Sequence, residues 1–148
     1  MGLRQAVMEK LKEAMKAKDE VRVRTLRLLN AALLELEKSG QEVTEDRELQ
    51  VVLTSVKKRR EAIEQYEKAG RQDLVEQEKA ELQVLEEFLP KQLSEEELRR
   101  EIARIIEEVG ATSIKDFGRV MQAAMKVLRG KAEGKQVQQV VRQLLSSE

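Results

Sequence analysis

Residues 89–98 read Leu-Pro-Lys-Gln-Leu-Ser-Glu-Glu-Glu-Leu, and this stretch decides how the chain is divided. The residue before a proline is pushed out of the α region, and proline has no amide hydrogen to continue a helix, so one helix must end at Leu89. Ser94 and Glu97 then have the spacing of a capping box, which opens a new helix. The stretch therefore predicts a domain boundary at Pro90, with an N-terminal helical domain over residues 1–90 and a second domain over residues 91–148.

On the N-terminal side of this boundary the apolar residues follow helical periodicity. A first helix, from about residue 3 to residue 18, has apolar side chains at four-residue steps: Leu3, Val7, Leu11 and Met15. A second helix has a leucine seam with alternating spacings of three and four, as in antiparallel helix pairs: Leu26, Leu29, Leu33 and Leu36. Two further helices, up to Ala69 and over residues 72–89, flank Gly70 and form a predicted antiparallel hairpin.

Each helix of this hairpin has one charged residue on its apolar seam. These residues are Arg59 and Glu78, and they lie at comparable heights when residues are counted outward from Gly70. Opposite charges at matching heights are expected to pair. The sequence therefore predicts a structural ion pair between Arg59 and Glu78.

On the C-terminal side the periodicity predicts three short helices. The first opens at Ser94 and stops at Gly110, the second opens at the Ser113 and Asp116 capping box and stops at Gly130, and the third follows. No strand-like alternation bounded by turn residues occurs anywhere in the chain. The fold class is therefore all-α, an N-terminal helical domain with an antiparallel hairpin followed by a small three-helix tail domain.

The amino-acid composition excludes most common catalytic and metal-binding sites. The 148 residues include 28 basic and 28 acidic side chains but no Cys and no His. Thiolate nucleophiles, disulfides, zinc fingers, imidazole bases and Ser-His-Asp triads are excluded. No catalytic residue, metal or cofactor is predicted. No apolar run approaches the roughly 20 residues of a membrane span, and the N-terminus lacks the apolar core of a signal peptide, so a soluble cytoplasmic protein is expected.

The last two predicted helices carry a basic excess. Seven basic residues lie between Lys115 and Arg142, against Asp116 and Glu133. In the connection over residues 130–135, Gly-Lys-Ala-Glu-Gly-Lys, two glycines allow a ligand to approach the backbone closely, and two lysines lie beside a helix N-terminus. A phosphate site needs these features. A solvated Gly-Lys turn is the alternative. Gly118, inside the sixth helix, predicts a close helix crossing, with a backbone surface kept open for a ligand as the alternative.

Several segments together resemble the GatB/YqeY family. They occur in order along almost the whole chain and are Thr25-Leu26-Arg27-Leu28-Leu29, the run from Arg59 to Arg71, the run from Leu89 to Leu98, Gly110-Ala111-Thr112-Ser113, and Gly118-Arg119-Val120-Met121. The family is similar to the C-terminal helical and tail region of the B subunit of the tRNA-dependent amidotransferase. That complex converts misacylated Glu-tRNA(Gln) or Asp-tRNA(Asn) to the amidated form.

The resemblance implies a helical domain followed by a tail that corresponds to the tRNA-recognising part of the larger enzyme. Carbon-nitrogen ligase activity with glutamine as amido-N-donor would belong to the complex, because the kinase and glutaminase portions are absent, and no autonomous activity is expected. The family's last loop commonly reads Ala-Asp-Gly, followed by an Asn in the final helix. This chain has Glu133 and Gln138 in those places, so polarity is kept and the side chains are longer.

With only three aromatic residues, Tyr66, Phe88 and Phe117, the chain has no platform for stacking bases, so phosphates are the expected contacts. The predicted nucleic-acid-binding residues are Gly130, Lys131, Gly134 and Lys135, flanked by Arg119, Lys126 and Arg129. The expected partner is tRNA, with amidotransferase or aminoacyl-tRNA synthetase components as further candidates, and neither a membrane nor duplex DNA is expected. Three function classes stay open: a tRNA-binding accessory module, a helical protein-protein interaction module, and an enzyme or enzyme subunit.

Overall fold

The computed structural model describes residues 2–146, and its regular structure is helical, which confirms the all-α prediction. These residues form α1 (Leu3–Lys16), α2 (Glu20–Lys38), α3 (Glu45–Lys68), α4 (Gln72–Glu86), α5 (Glu95–Val109), α6 (Phe117–Leu128) and α7 (Gly134–Ser146). A 3₁₀ turn, Ile114–Asp116, leads into α6. Within the part of the chain that is described, no helix is both long enough and apolar enough to cross a membrane.

The chain divides into two compact units, and the first of them ends at Leu89. In this unit α1 packs against α2 and α3 packs against α4, while α2 also contacts both α3 and α4. Its core is built from small and branched apolar side chains: Val7, Ala14, Leu26, Leu29, Leu33, Val52, Val56, Val84 and Leu85. Because α2 contacts the other three helices, it is the central element of this unit.

The buried face of α1 differs from the predicted stripe. Met15 is 49% exposed, whereas Ala14 is buried beside Val7 in the core. Each residue advances an α-helix by about 100°, so Ala14 lies about 20° from Val7 around the helix and Met15 lies about 80° away. A strict four-residue repeat winds away from the partner helix, and for this reason Met15, the last residue of the predicted apolar stripe, is exposed.

Helix α4 ends at Glu86, three residues before the predicted end at Leu89. The backbone N–H groups of Glu87, Phe88 and Leu89 instead donate to carbonyls three residues earlier, at 3.3, 3.0 and 3.1 Å. Such bonds tighten the last turn and satisfy carbonyls that a helix end leaves without partners. The last residues before Pro90 therefore form a tight turn with hydrogen bonds three residues apart instead of continuing the α-helix.

The second unit, from Pro90 onward, is a bundle of α5, α6 and α7. Apolar side chains from all three helices form its core: Leu98, Ile102, Ile105, Val120, Ala124, Leu128, Val137, Val140, Val141 and Leu145. Ser94 and Glu97 make both bonds of the capping box at the start of α5, and Gly110 ends α5 in the left-handed conformation at φ 69°. Local capping signals therefore set both ends of this helix.

Asp116 makes the stability of the second unit depend on pH. Its carboxylate accepts hydrogen bonds from the N–H groups of Thr112 (2.9 Å) and Ser113 (3.3 Å) and from Arg119 (3.2 Å). The bond from Thr112 contributes most, followed by those from Arg119 and Ser113, and together they lower the pKa of Asp116. A lowered folded-state pKa gives stability that is present above the ordinary aspartate pKa and is lost as pH falls through the folded value.

Asp116→Asn, which imitates the neutral acid, is therefore expected to destabilise the protein at about pH 6, and its difference from the wild type is expected to shrink as the pH falls through the lowered pKa of the folded Asp116. Urea unfolding of both proteins at about pH 6, 4 and 2.5 measures the difference in free energy of unfolding. A difference that stayed constant over this range would contradict the assignment.

Candidate nucleic-acid interface

The connection between α6 and α7 is held in place by a segment that precedes α5. Gln92 Nε2 donates to the carbonyl of Gly130 at 2.6 Å, and the N–H of Leu93 donates to the carbonyl of Lys131 at 2.9 Å. The N–H of Lys131 in turn donates to the carbonyl of Leu128 at 2.8 Å. The loop backbone is therefore fixed, while the side chains of Lys131 and Lys135 are exposed.

The two glycines of this connection have different environments. Gly130 is buried, has φ 81° and uses its carbonyl to bind Gln92. The prediction that Gly130 contacts a phosphate is therefore replaced by a structural role, since only glycine adopts this conformation without strain. Gly134 is exposed as the first residue of α7, and a Cβ there would meet no atom within 4 Å. Its position leaves the N-terminal turn of α7 accessible.

Gly118 does not lie at a close helix crossing. It is exposed in the first turn of α6, and a Cβ added there would meet nothing within 4 Å. The close-crossing prediction was wrong, because a glycine near a helix start carries no information on which way that residue faces. An open backbone surface, the alternative explanation, agrees with this placement.

These placements predict opposite effects of one substitution. Gly118→Ala is expected to stabilise the protein slightly, by about 0.5 kcal/mol, because alanine restricts the unfolded chain and has room in the helix. Gly130→Ala is expected to destabilise it by about 1–2 kcal/mol, because a Cβ is strained in the left-handed region. Denaturant unfolding of both variants measures these changes, and a large loss for Gly118→Ala would restore the close-crossing explanation.

The predicted flanking cations lie along one face of α6. Arg119, Gln122 and Lys126 are exposed at spacings of three and four, and Arg129, half-buried, follows three residues later. Ten residues of helix span about 15 Å, so Arg119 is at the opposite end of α6 from the Lys131 loop. Arg119 also donates to the carbonyl of Val109 and to Asp116. Lys126 and Lys131 are the predicted cations that are both exposed and outside any ion pair within residues 2–146.

The exposed face of α7 carries residues that were not among the predicted binding residues, although Lys135 was. A shallow groove there is lined by amides and cations: Lys135, Gln138, Gln139, Arg142 and Gln143. Glutamine side chains both donate and accept hydrogen bonds, and the guanidinium of Arg142 is held 5.1 Å from the centre of the Phe117 ring. The signal was present in the sequence, because these residues alternate with the buried Val137, Val140 and Val141 at helical spacing.

Opposite charges are segregated within the second unit. Helix α5 contains six glutamates and three arginines. Residues 117–146 contain six basic residues, with Glu133 as the one acidic residue. The net charge of the whole chain is zero, so this separation is not visible in the overall composition. It gives α6 and α7 a positive potential that attracts anions and α5 a negative one that repels them.

The predicted ion pair of the first unit belongs to a larger network. Arg59 Nη1 lies 3.1 Å from Glu78 Oε2, so the structure brings these two residues together, and it lies 3.3 Å from Glu81 Oε2. Glu81 is 3% exposed and also accepts from Arg24 Nε at 2.9 Å. Neither Glu81 nor Arg24 was predicted to belong to this network. Among residues 2–146, no group of three or more acidic side chains is placed to hold a metal ion.

Comparison with known proteins identifies the family. The family model described as Yqey-like protein matches residues 4–145. An uncharacterised protein of Schizosaccharomyces pombe is 37% identical over 94 residues, which cover 63% of this chain and 76% of that protein. Altered inheritance of mitochondria protein 41, mitochondrial, of Pyrenophora tritici-repentis is 30% identical over 142 residues, which cover 88% of this chain and 76% of that protein. The family resemblance of the sequence is thereby confirmed, and the chain belongs to the YqeY family.

Proposed function

We propose that the protein is a cytoplasmic tRNA-binding accessory protein, related to the tRNA-recognising tail of the glutamine-dependent amidotransferase and without an active site of its own. The observation that carries the proposal is the charge separation in the second unit. The faces of α6 and α7 and the loop between them expose cations and amides, with Glu133 as the one carboxylate in residues 117–146.

The cations and amides of α6 and α7 can bind the phosphates and 2′-hydroxyls of an RNA backbone. Exposed lysines such as Lys126 and Lys131 neutralise phosphates, and the glutamines of α7 can bond to phosphate oxygens and 2′-hydroxyls. The accessible first turn of α7 at Gly134 adds backbone N–H groups, which favour anions. Phe117 is the one aromatic residue after Pro90 and already lies against Arg142. Recognition therefore rests on shape and backbone charge rather than on stacked bases.

The negative face of α5 sets the orientation of the RNA. Six glutamates there repel phosphates, so a polyanion is steered toward α6 and α7. In this proposal, amide-transfer chemistry takes place in other subunits, and amidotransferase or aminoacyl-tRNA synthetase components are the protein partners that would use the bound tRNA.

A titration with competition tests the proposal. Purified full-length protein is added to fluorescently labelled bulk tRNA at about 50 mM salt, and unlabelled duplex DNA is added as competitor. The proposal predicts saturable binding that an equal mass of DNA fails to displace, because the protein recognises folded RNA. Absence of binding, or equal displacement by DNA, would contradict it.

A further inference from the structure

The exposed side of α2 has an apolar residue in a groove that three basic side chains also line. Leu28 is 54% exposed, a larger fraction than for any other large apolar side chain of the described residues. It lines a groove in the first unit together with Lys18, Glu20, Val23, Arg24 and Arg27. Leu29 and Leu33 of the same helix are buried, so Leu28 lies on the side of α2 that faces away from the core of the unit.

A buried carboxylate holds Arg24 in position at this groove. Arg24 Nε donates to Glu81 Oε1 at 2.9 Å, and Glu81 is itself fixed by Arg59 at 3.3 Å. The Arg24 side chain is nevertheless 46% exposed. Glu81 therefore fixes the guanidinium through Nε, while Arg24 lines the groove. An arginine held in this way can bind a carboxylate with its two terminal nitrogens.

The remaining charges of the groove are mainly positive. Arg27 is exposed and makes no ion pair in the part of the chain that is described. Lys18 is held at the groove by the left-handed turn that ends α1, with φ 55°. Among the residues that line the groove Glu20 is the one carboxylate, and Arg24 is already paired with Glu81 beneath it, so Lys18 and Arg27 supply the excess positive charge. An occupant with carboxylates around an apolar side chain would complement both the charge and the apolar surface.

We propose that this groove binds a helical segment of a protein partner that presents one large aliphatic side chain between glutamate or aspartate residues. Covering the exposed half of the Leu28 side chain needs an aliphatic contact, which RNA does not offer. Arg24 and Leu28 are four residues apart on α2, one helical turn. A partner helix with an acidic residue four positions from its aliphatic residue has the same repeat. This proposal concerns the first unit and is independent of tRNA binding.

Two designed peptides and one RNA test the groove. The first peptide is an alanine-based helix with a central leucine and glutamates four positions to each side, the second has lysines in place of the glutamates, and the RNA is a short single-stranded oligonucleotide. Each is titrated into ¹⁵N-labelled full-length protein and followed by amide chemical shifts. The proposal predicts saturable shifts of residues 18–28 with the glutamate peptide, and at least tenfold weaker binding of the lysine peptide.

Variants distinguish binding at the groove from non-specific binding to apolar surface. Leu28→Asp and Arg27→Glu are each expected to lower the affinity for the glutamate peptide at least tenfold. The circular dichroism spectrum should stay unchanged, because both side chains are exposed and the fold does not depend on them. Val43→Asp, at another exposed apolar residue of the same unit, is the matched control and should bind as the wild type does. Equal binding of both peptides, no shift in residues 18–28, or displacement of the glutamate peptide from these residues by the RNA would overturn the proposal.

Discussion

Reversing the charge of two lysines, Lys126→Glu together with Lys131→Glu, is expected to weaken tRNA binding about 100-fold. Both side chains are exposed, and neither forms an ion pair within residues 2–146, so the change leaves the fold intact. A hydrogen bond to a charged group contributes about 1.5–3 kcal/mol, and about 1.4 kcal/mol corresponds to a tenfold change in affinity. Two lost phosphate contacts therefore give about two orders of magnitude.

A matched control uses the same change in net charge on another face of the same unit. Arg100→Glu together with Arg104→Glu adds negative charge to α5, which already carries six glutamates. Fluorescence titration should show a loss of less than about fivefold for this control at moderate salt, since charges outside the contact surface are screened. Equal losses for both double variants would mean that net charge, and not the surface of α6 and its loop, governs binding.

Replacing the buried carboxylate of the first unit, Glu81→Leu, is expected to lower the free energy of unfolding by about 3 kcal/mol. Glu81 is 3% exposed and accepts from Arg24 at 2.9 Å. It also lies 3.3 Å from Arg59, whose Nε is buried without a hydrogen-bond partner. Removing Glu81 leaves Arg59, 25% exposed, with Glu78 as its one carboxylate partner within residues 2–146 while its Nε stays buried without a partner, and Arg24 loses the carboxylate that orients it, so the substitution is costly.

Glu86→Leu is the control for this experiment. Glu86 lies on the same helix and pairs with Arg60 at 3.7 Å, but its side chain is 38% exposed. Its replacement should change the free energy of unfolding by less than about 1 kcal/mol, as for other surface ion pairs. Urea unfolding of both variants measures the contrast. Equal destabilisation by the two substitutions would show that burial of Glu81 does not determine its contribution.

The sequence predicted the Arg59–Glu78 pair but not its neighbours, for a geometric reason. Counting outward from Gly70 places residues at matching heights on two helices, and this suffices for α3 and α4. Glu81 lies beside the seam residue Leu82, and in a two-helix hairpin it would be exposed. It is buried because α2 also packs on α4, and this third contact is not encoded in the spacing of either helix.

The candidate interface shows the same difference between local and tertiary information. Charge counting along the chain located the basic residues, since α6 and α7 are adjacent in sequence. It grouped Arg119 with the loop, although about 15 Å of helix separates them. The role of Gly130 depends on Gln92, 38 residues away, a contact that no local pattern predicts. The glutamine face of α7 was missed because its amides carry no charge to count.

The most direct test of the tRNA proposal is the affinity of the full-length protein for tRNA at about 50 and 200 mM salt. With about three phosphates neutralised by Lys126, Lys131 and the groove of α7, the affinity should fall about 20- to 40-fold over this range, from a slope of about −0.7 to −0.9 per phosphate. That result would support phosphate recognition by α6 and α7. No binding at the lower salt, or binding that does not change with salt, would contradict it.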